Sequence, residues 1–129
     1  MTAGDAMVFV VDDDYSIRRS LKRLLESAGF NVETFSSADD FLSYRRRDVR
    51  SCLVLDVRMP GFGGLALQRR LADAGSEVPV IFITAYAEEE VEARARRAGA
   101  RAFLTKPLDD EVILRAVREA LGMNQEVAR

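Results

Sequence analysis

Uninterrupted apolar runs that alternate with helical stretches dominate the pattern along the chain. Apolar residues are continuous in Met7–Val11, Cys52–Leu55 and Val80–Ile83, without the polar alternation of a half-exposed strand. Such runs are typical of strands buried on both faces of a parallel sheet. Two weaker strands are predicted at Phe30–Thr34, where apolar and polar residues alternate, and at Ala102–Leu104.

Stretches with apolar residues three or four positions apart follow these strands and predict five helices. The short second helix has Ser36 or Ser37 as its N-terminal cap, and the last helix has Asp109 or Asp110. The fourth helix, Glu88–Ala98, is rich in Ala, Arg and Glu and has few large apolar residues. Four helices are expected to stop at glycines, namely Gly29, Gly75, Gly99 and Gly122. Strands alternating with helices predict an α/β fold with a parallel sheet.

The composition narrows the class of protein. A chain of 129 residues fits one domain with a substantial core, and its single Cys cannot form an internal disulfide. The absence of His excludes a Ser-His-Asp triad and a His-ligated zinc site. The formal net charge is -2, so the chain lacks the excess of basic residues that is typical of a nucleic-acid-binding domain. Since no apolar stretch approaches the roughly 20 residues of a membrane span, we expect a cytoplasmic domain without membrane contact.

Polar side chains of complementary charge follow four of the five predicted strands. In chain order they are Asp12–Asp14, Asp56, Thr84 and Lys106. In an open parallel sheet, ligands bind beyond the carboxyl ends of the strands. A lone aspartate after a strand is commonly only a helix or turn cap. Polar residues at four strand ends, with one cation among several acids, predict a binding site instead.

The chemistry of this set fits a phosphoryl-acceptor site. Clustered carboxylates repel one another and need a cation to remain ionised together. Oxygen ligands without His or thiolate favour a hard ion, for which Mg²⁺ is the best match. A carboxylate can attack phosphorus and form an aspartyl phosphate. Lys106 and Thr84 then supply a cation and a hydroxyl donor for the phosphoryl oxygens.

Four motifs, VVDDD, LDVRMPGFGG, ITA and FLTKP, resemble in order and spacing the receiver domain of two-component response regulators. The resemblance covers roughly residues 8–121. It implies a flavodoxin-like (βα)5 doubly wound parallel sheet with strand order 2-1-3-4-5, for which a chemotaxis receiver is a known example. It also implies a receiver domain at 1–122. Residues 123–129 would form a C-terminal tail or the start of a linker to an output domain absent from this chain.

The resemblance assigns roles to the strand-end residues. Asp56 would be the phosphorylated aspartate, with Lys106 and Thr84 completing the catalytic set. Mg²⁺ would be held by three carboxylates and one backbone carbonyl, namely Asp12, Asp13, Asp56 and the carbonyl of Arg58. Of the acidic pair, Asp13 would bind the ion directly and Asp12 largely through water.

Further roles follow from the same resemblance. Thr84 and Phe103 would form the switch pair that responds to phosphorylation. A cis peptide bond is expected before Pro107, where it would aim the preceding lysine. Arg58 and Tyr86, each two residues beyond a site residue, would flank the phosphoryl group and set the lifetime of the phosphate by screening water.

The implied function is a signalling switch and not an enzyme that turns over a metabolite. A sensor histidine kinase would donate the phosphoryl group to Asp56, and the surface of the fourth helix and fifth strand would change. The motifs lean toward receivers that precede a LuxR-type helix-turn-helix, so transcription is the expected output. Phosphorylation could produce a homodimer. DNA would be contacted only through an output domain outside this chain.

Two alternatives stay open from the sequence. Asp12–Ser16 also resembles the nucleophile loop of haloacid-dehalogenase-type phosphatases, in which Asp12 would be the nucleophile and Asp14 the acid/base. That hypothesis leaves the DVRMPG segment unexplained, and the chain is short for the family. The other alternative is a pseudo-receiver, a binding module that is never phosphorylated, although the acids, the threonine and the lysine are all present.

Overall fold

The computed structural model describes residues 6–44 and 49–123, in which five strands and five helices alternate. The strands are β1 (Met7–Val11), β2 (Asn31–Phe35), β3 (Ser51–Asp56), β4 (Val80–Thr84) and β5 (Ala102–Thr105). The helices are α1 (Tyr15–Ser27), α2 (Ala38–Ser43), α3 (Gly64–Asp73), α4 (Glu89–Arg97) and α5 (Asp110–Ala120). The predicted alternation is confirmed. The tail predicted at 123–129 lies outside the described residues, except for its first residue.

All strand pairs are parallel, and their order in the sheet is β2-β1-β3-β4-β5. This is the order that the resemblance implies. β1 and β3 are neighbours, with Val11 opposite Leu55, so the residues that follow them emerge side by side at one edge. The sheet order therefore brings Asp12 next to Asp56, although 44 positions separate them in the sequence.

The sheet is covered on both faces, as the continuous apolar strands predict. Successive strand residues point to opposite faces. One layer joins the alternate residues Val8, Val10, Cys52, Val54, Ile81 and Ile83 to the apolar sides of α1 and α5. The other joins Phe9, Val11, Leu53, Leu55, Phe82 and Phe103 to α2, α3 and α4. The result is a doubly wound sheet whose carboxyl edge is left for polar residues.

Helix caps and one strand boundary refine the sequence prediction. Ser37 caps α2, since its hydroxyl accepts from Asp40 N–H at 3.0 Å, and Asp109 caps α5 in the same way. β2 begins one residue later than predicted. The N–H of Phe30 donates to Leu25 O and so belongs to the end of α1, whereas Phe35 pairs with Val11.

α4 has few buried residues, and the C-terminal end of α5 is bound at the edge of the sheet where β3 begins. Ala95 is the buried residue of α4, and its carbonyl accepts a buried hydrogen bond from Gln68 Nε2 at 3.2 Å. Arg50, which directly precedes β3, donates from Nη1 to the carbonyl of Leu121 at 2.6 Å and so holds the C-terminal end of α5. No helix in the described ranges is long and apolar enough to cross a membrane.

Candidate phosphoryl-acceptor site

Three aspartates meet at the carboxyl ends of β1 and β3. One carboxylate oxygen from each of Asp12, Asp13 and Asp56 lies within 4.8 Å of the others. Asp12 and Asp56 are buried, whereas Asp13 is exposed to solvent. The cluster therefore combines two enclosed oxygen donors with one at the surface, an arrangement that a cation can reach from solvent.

Local hydrogen bonds fix the first acidic loop. The N–H of Asp14 donates to Asp12 Oδ1 at 2.8 Å, and Arg18 Nη1 donates to the backbone carbonyl of Asp12 at 2.8 Å. The carboxylate of Asp14 caps α1, accepting from Ser16 N–H at 2.8 Å and from Ile17 N–H at 3.4 Å. Asp14 thus serves the helix N-terminus, which disfavours the acid/base role that the phosphatase alternative assigned to it.

Lys106 enters the cluster from the end of β5. Its ammonium Nζ lies 3.0 Å from Asp12 Oδ2 and 3.7 Å from Asp56 Oδ1. The backbone N–H of Lys106 donates to Thr84 O at 2.7 Å, and its peptide bond to Pro107 is cis. A single cation therefore bridges the two buried carboxylates.

The donor set fits a hard divalent cation. Asp12 Oδ2 is buried and has no well-directed hydrogen bond from the described residues. Its charged neighbour is the ammonium of Lys106, whose Nζ lies 3.0 Å away. One ammonium faces three carboxylates, which leaves negative charge in excess. Small, hard ions such as Mg²⁺ prefer oxygen ligands of this kind.

Electrostatics at the site make Asp56 unusual. Burial, followed by repulsion from Asp12, raises the pKa of Asp56 from 3.8 to about 6, although Lys106 and the N–H of Arg58 act in the opposite direction. Burial acts to lower the pKa of Lys106, but its contacts with Asp12 and Asp56 outweigh burial and raise it. Lys106 is therefore charged at neutral pH. Asp56 is largely ionised at neutral pH, although its surroundings disfavour the ionised form.

The switch residues predicted by resemblance lie on adjacent strands. Thr84 is fully buried at the end of β4; its hydroxyl accepts from Tyr86 N–H at 3.1 Å and lies 3.1 Å from Tyr86 O, to which it donates. Phe103 is buried on β5, with its ring centroid 6.1 Å from that of Phe82. The hydroxyl is thus bound to the loop between β4 and α4.

Arg58 and Tyr86 contact each other through their side chains. The Arg58 guanidinium lies 5.9 Å from the centroid of the Tyr86 ring, and Arg58 Nη2 forms an ion pair with Glu88 Oε1. The N–H of Arg58 donates to Asp56 Oδ1 at 3.4 Å. Glu88 was not predicted at this site. Its neighbours Glu89 and Glu90 have the same chemistry, so the sequence carries no signal that selects it.

The loop after β3 returns so closely to Asp56 that only glycine fits at its end. A Cβ atom on Gly64 would lie 2.3 Å from the carbonyl oxygen of Asp56, and the Gly64 N–H donates to Val57 O at 3.0 Å. The first turn of α3 is therefore packed against the backbone of Asp56. This contact helps to hold the backbone of Asp56 in place.

Comparison with known families identifies the domain. The model of the response regulator receiver domain matches residues 8–118. The chain belongs to this family. The match includes the aspartate loop, so the receiver family accounts for the motif that had also suggested a phosphatase. Receiver domains are signalling switches, and the named relatives of this one are regulators.

Individual relatives agree with the family match. The chain is 44% identical over 127 residues to the transcriptional regulatory protein TdiR of Thauera aromatica, covering 98% of this chain and 56% of TdiR. It is 48% identical over 112 residues to nodulation protein W of Bradyrhizobium diazoefficiens, covering 87% of this chain and 49% of that protein. The chain therefore spans about half the length of these curated relatives.

Solved receiver structures share the fold. The response regulator StyR matches with a TM-score of 0.86 and 47% identity, covering 92% of this chain and 60% of that chain. The FixJ-N crystal structure matches with a TM-score of 0.84 and 36% identity over 100% of both chains. The flavodoxin-like receiver fold implied by the sequence motifs is thus confirmed.

Proposed function

We propose that this receiver accepts a phosphoryl group on Asp56 and that phosphorylation changes the surface formed by α4 and β5. The observation that carries the proposal is the convergence of Asp12, Asp13, Asp56 and Lys106 at one edge of the sheet. Negative charge for nucleophilic attack and a cation for the phosphoryl oxygens are within reach of one another. Membership of the receiver family supports the same conclusion.

In the proposed transfer, a carboxylate oxygen of Asp56 attacks the phosphorus of a phosphohistidine on a sensor kinase. An O–P bond forms while the P–N bond breaks, and the electron pair of that bond returns to the imidazole, which takes up a proton. Asp56 must be ionised to attack, and its pKa of about 6 leaves it largely ionised at neutral pH. Lys106, 3.7 Å from Asp56 Oδ1, is placed to neutralise charge on the transferred group.

The proposed cofactor is Mg²⁺, held by Asp12, Asp13, Asp56 and the backbone carbonyl of Arg58. When bound, the ion supplies positive charge that offsets repulsion among the carboxylates and the charge of the phosphoryl oxygens. Two of the three carboxylates are buried, so their side chains are held ready for a ligand. Asp13 faces solvent and provides the side from which an ion enters.

The proposed switch starts at Thr84. Its hydroxyl now bonds to the backbone of Tyr86, and it would have to leave these bonds to donate to a phosphoryl oxygen. Phe103, on the neighbouring strand, would repack as the loop follows. A phosphoryl group shifts this equilibrium only through contacts that differ between the two states. We propose that Thr84 and Lys106 make these contacts.

The proposal extends to the protein from which this domain comes. We place the receiver unit at 1–122, propose that it is cytoplasmic, and propose a sensor histidine kinase as its partner. TdiR is named a transcriptional regulatory protein and is nearly twice as long as the matched region, so transcription through a LuxR-type helix-turn-helix is the proposed output. DNA would be bound by that output domain. Dimerisation on phosphorylation would involve the surface of α4 and β5.

Intact mass spectrometry after incubation with acetyl phosphate and Mg²⁺ tests the proposal. The native chain and the control Asp39→Asn should each gain one phosphoryl group, and Asp56→Asn should gain none. A label that persists in Asp56→Asn and disappears in Asp12→Asn would support the phosphatase alternative. A folded native chain that accepts no label from acetyl phosphate or from a phosphorylated kinase would be a pseudo-receiver, and the proposal would be wrong.

A further inference from the structure

Glu88 is linked to the acceptor site through Arg58. Its carboxylate forms an ion pair with the Arg58 guanidinium, across 30 positions of the sequence. Glu88 occupies the cap position of α4, but its side chain makes no capping hydrogen bond to the helix. The carboxylate is therefore directed at the loop after β3 and not at the N–H groups of its own helix.

We propose that Glu88 is a positioning residue for phosphoryl chemistry at Asp56. In the unphosphorylated chain it holds the Arg58 guanidinium against the start of α4. A phosphoryl group on Asp56 competes with Glu88 for that guanidinium. The inference rests on the proposed function and adds a residue through which the state of the site reaches α4.

The position of Arg58 supports this competition. Its N–H donates to Asp56 Oδ1 at 3.4 Å, so the guanidinium extends from backbone that already contacts the acceptor carboxylate. A phosphoryl group has up to two negative charges and three acceptor oxygens, whereas the carboxylate of Glu88 has one charge and two oxygens. Guanidinium binds either group in a bidentate manner. Arg58 thus has one acidic partner before phosphorylation and two afterwards.

Tyr86 contacts the same guanidinium. The ring lies under the Arg58 guanidinium at 5.9 Å, and its own backbone is bound to the hydroxyl of Thr84. Two side-chain contacts therefore hold the loop between β4 and α4, one made by Thr84 and one by Glu88. A phosphoryl group on Asp56 would compete for the Thr84 hydroxyl in the first contact and for the Arg58 guanidinium in the second.

The two ends of α4 are held by different means. Near its C-terminal end, the carbonyl of Ala95 accepts the buried hydrogen bond from Gln68, which lies outside the acidic cluster. At its N-terminal end, the contact between Arg58 and Glu88 is half-exposed, with side-chain exposures of 50% and 49%. Loss of the ion pair therefore removes one contact at the end of α4 nearest the site and leaves the buried hydrogen bond near the far end in place.

The size of the effect follows from this exposure. Half-exposed ion pairs change equilibrium constants by factors of about 1.5 to 5. Glu88→Gln should raise the rate of phosphorylation by acetyl phosphate about two- to five-fold, because Arg58 becomes available and one negative charge near an anionic donor is lost. It should also lengthen the lifetime of the aspartyl phosphate, since the released guanidinium covers the phosphoryl group.

Four variants test the inference by intact mass spectrometry of the full chain with Mg²⁺. They are Glu88→Gln, Arg58→Gln, the double variant and Glu89→Gln. Glu89 offers the matched control, because it is the next residue, loses the same charge and makes no ion pair among the described residues. Both the rate of phosphorylation and the rate of loss after donor removal are measured.

The expected result is a non-additive pair. Glu88→Gln should change both rates relative to Glu89→Gln, and it should have little further effect in the Arg58→Gln background. High salt should reduce the difference between native chain and Glu88→Gln. A purely structural role of this ion pair would alter thermal stability and leave both rates of the folded chain unchanged.

Failure of the inference and failure of the proposed function give different results. If the native chain is phosphorylated but Glu88→Gln behaves like Glu89→Gln, or keeps its full effect without Arg58, the inference is wrong while the proposed function stands. If the native chain gains no phosphoryl group from any donor, both are wrong.

Discussion

Asp56→Asn should increase the free energy of unfolding of the metal-free protein at neutral pH. Asp56 is only 4% exposed and lies beside the buried Asp12. Burial and this repulsion raise its pKa from 3.8 to about 6. The folded state therefore favours the neutral form of this side chain, and Asn supplies a neutral side chain of nearly the same shape.

The pKa gives the size and the sign of the effect. A rise from 3.8 to about 6 corresponds to at most about 3 kcal/mol of destabilisation by the ionised form. This net shift already includes the opposing attraction of Lys106. Because relaxation of the surroundings reduces the effective penalty of a buried charge, we expect a gain of about 1–2 kcal/mol. Between pH 3.8 and about 6 the folded native chain binds more protons than the unfolded chain. The stability that the native chain gains from protonated Asp56 is therefore fully present below pH 3.8 and is lost as the pH rises through about 6.

Urea unfolding followed by far-UV circular dichroism measures the difference. In EDTA at pH 7.5, Asp56→Asn should be more stable than the native chain, and the difference should shrink toward pH 4. Asp39→Asn is the control, because this exposed residue in the first turn of α2 tests the amide substitution without burial. Mg²⁺ should stabilise the native chain more than the variant, since a ligand that binds only the folded state adds to its stability.

Two results would refute the reasoning. If Asp56→Asn is less stable than the native chain at pH 7.5 in EDTA, Asp56 is not a destabilising charge. If the gain is the same at pH 4 and pH 7.5, its origin is packing and not ionisation. Either result would also remove the electrostatic argument for a cation at this cluster.

Three further substitutions test other parts of the site. Lys106→Met should slow phosphorylation by acetyl phosphate at least about ten-fold, because the cation that faces the phosphoryl oxygens is lost; an unchanged rate by intact mass would contradict its assignment. Gly64→Ala should destabilise the fold by about 1–3 kcal/mol in urea, because its Cβ would lie 2.3 Å from Asp56 O; wild-type stability would show that the loop can move aside. Gln68→Leu should lower the free energy of unfolding by about 1 kcal/mol and accelerate amide hydrogen exchange in α4 more than in α3. Equal changes in the two helices would contradict this prediction.

Much of the fold could be predicted because each strand carries its own signal. β1, β3 and β4 lack polar alternation, and that pattern is produced by burial on both faces. The order of the strands could not be derived in this way, because periodicity contains no information on which strands are neighbours. The order came from the resemblance to receivers, and the structure confirmed it.

The residues of the site at strand ends could be predicted from the sequence, whereas the contacts made between loops could not. Asp56 is the last residue of β3 and Lys106 directly follows β5, so both lie at the carboxyl edge of the sheet. The partner of Glu88 depends on how two loops fold toward each other, and three successive glutamates look alike in the sequence. The bonds of the Thr84 hydroxyl to Tyr86 depend on loop geometry in the same way. β2 was predicted one residue early because Phe30 is buried like a strand residue while bonding to the end of α1.

The contact between Arg50 and the carbonyl of Leu121 sets the route by which a signal can leave this domain. Arg50 precedes β3, while Asp56 is the last residue of that strand. At about 3.3 Å per residue, the two ends of this strand are about 17 Å apart. Any chain that continues beyond α5 therefore departs from the end of the sheet opposite Asp56. Under the proposed function, a module joined at that end would sense phosphorylation of Asp56 through a surface of the domain that it contacts.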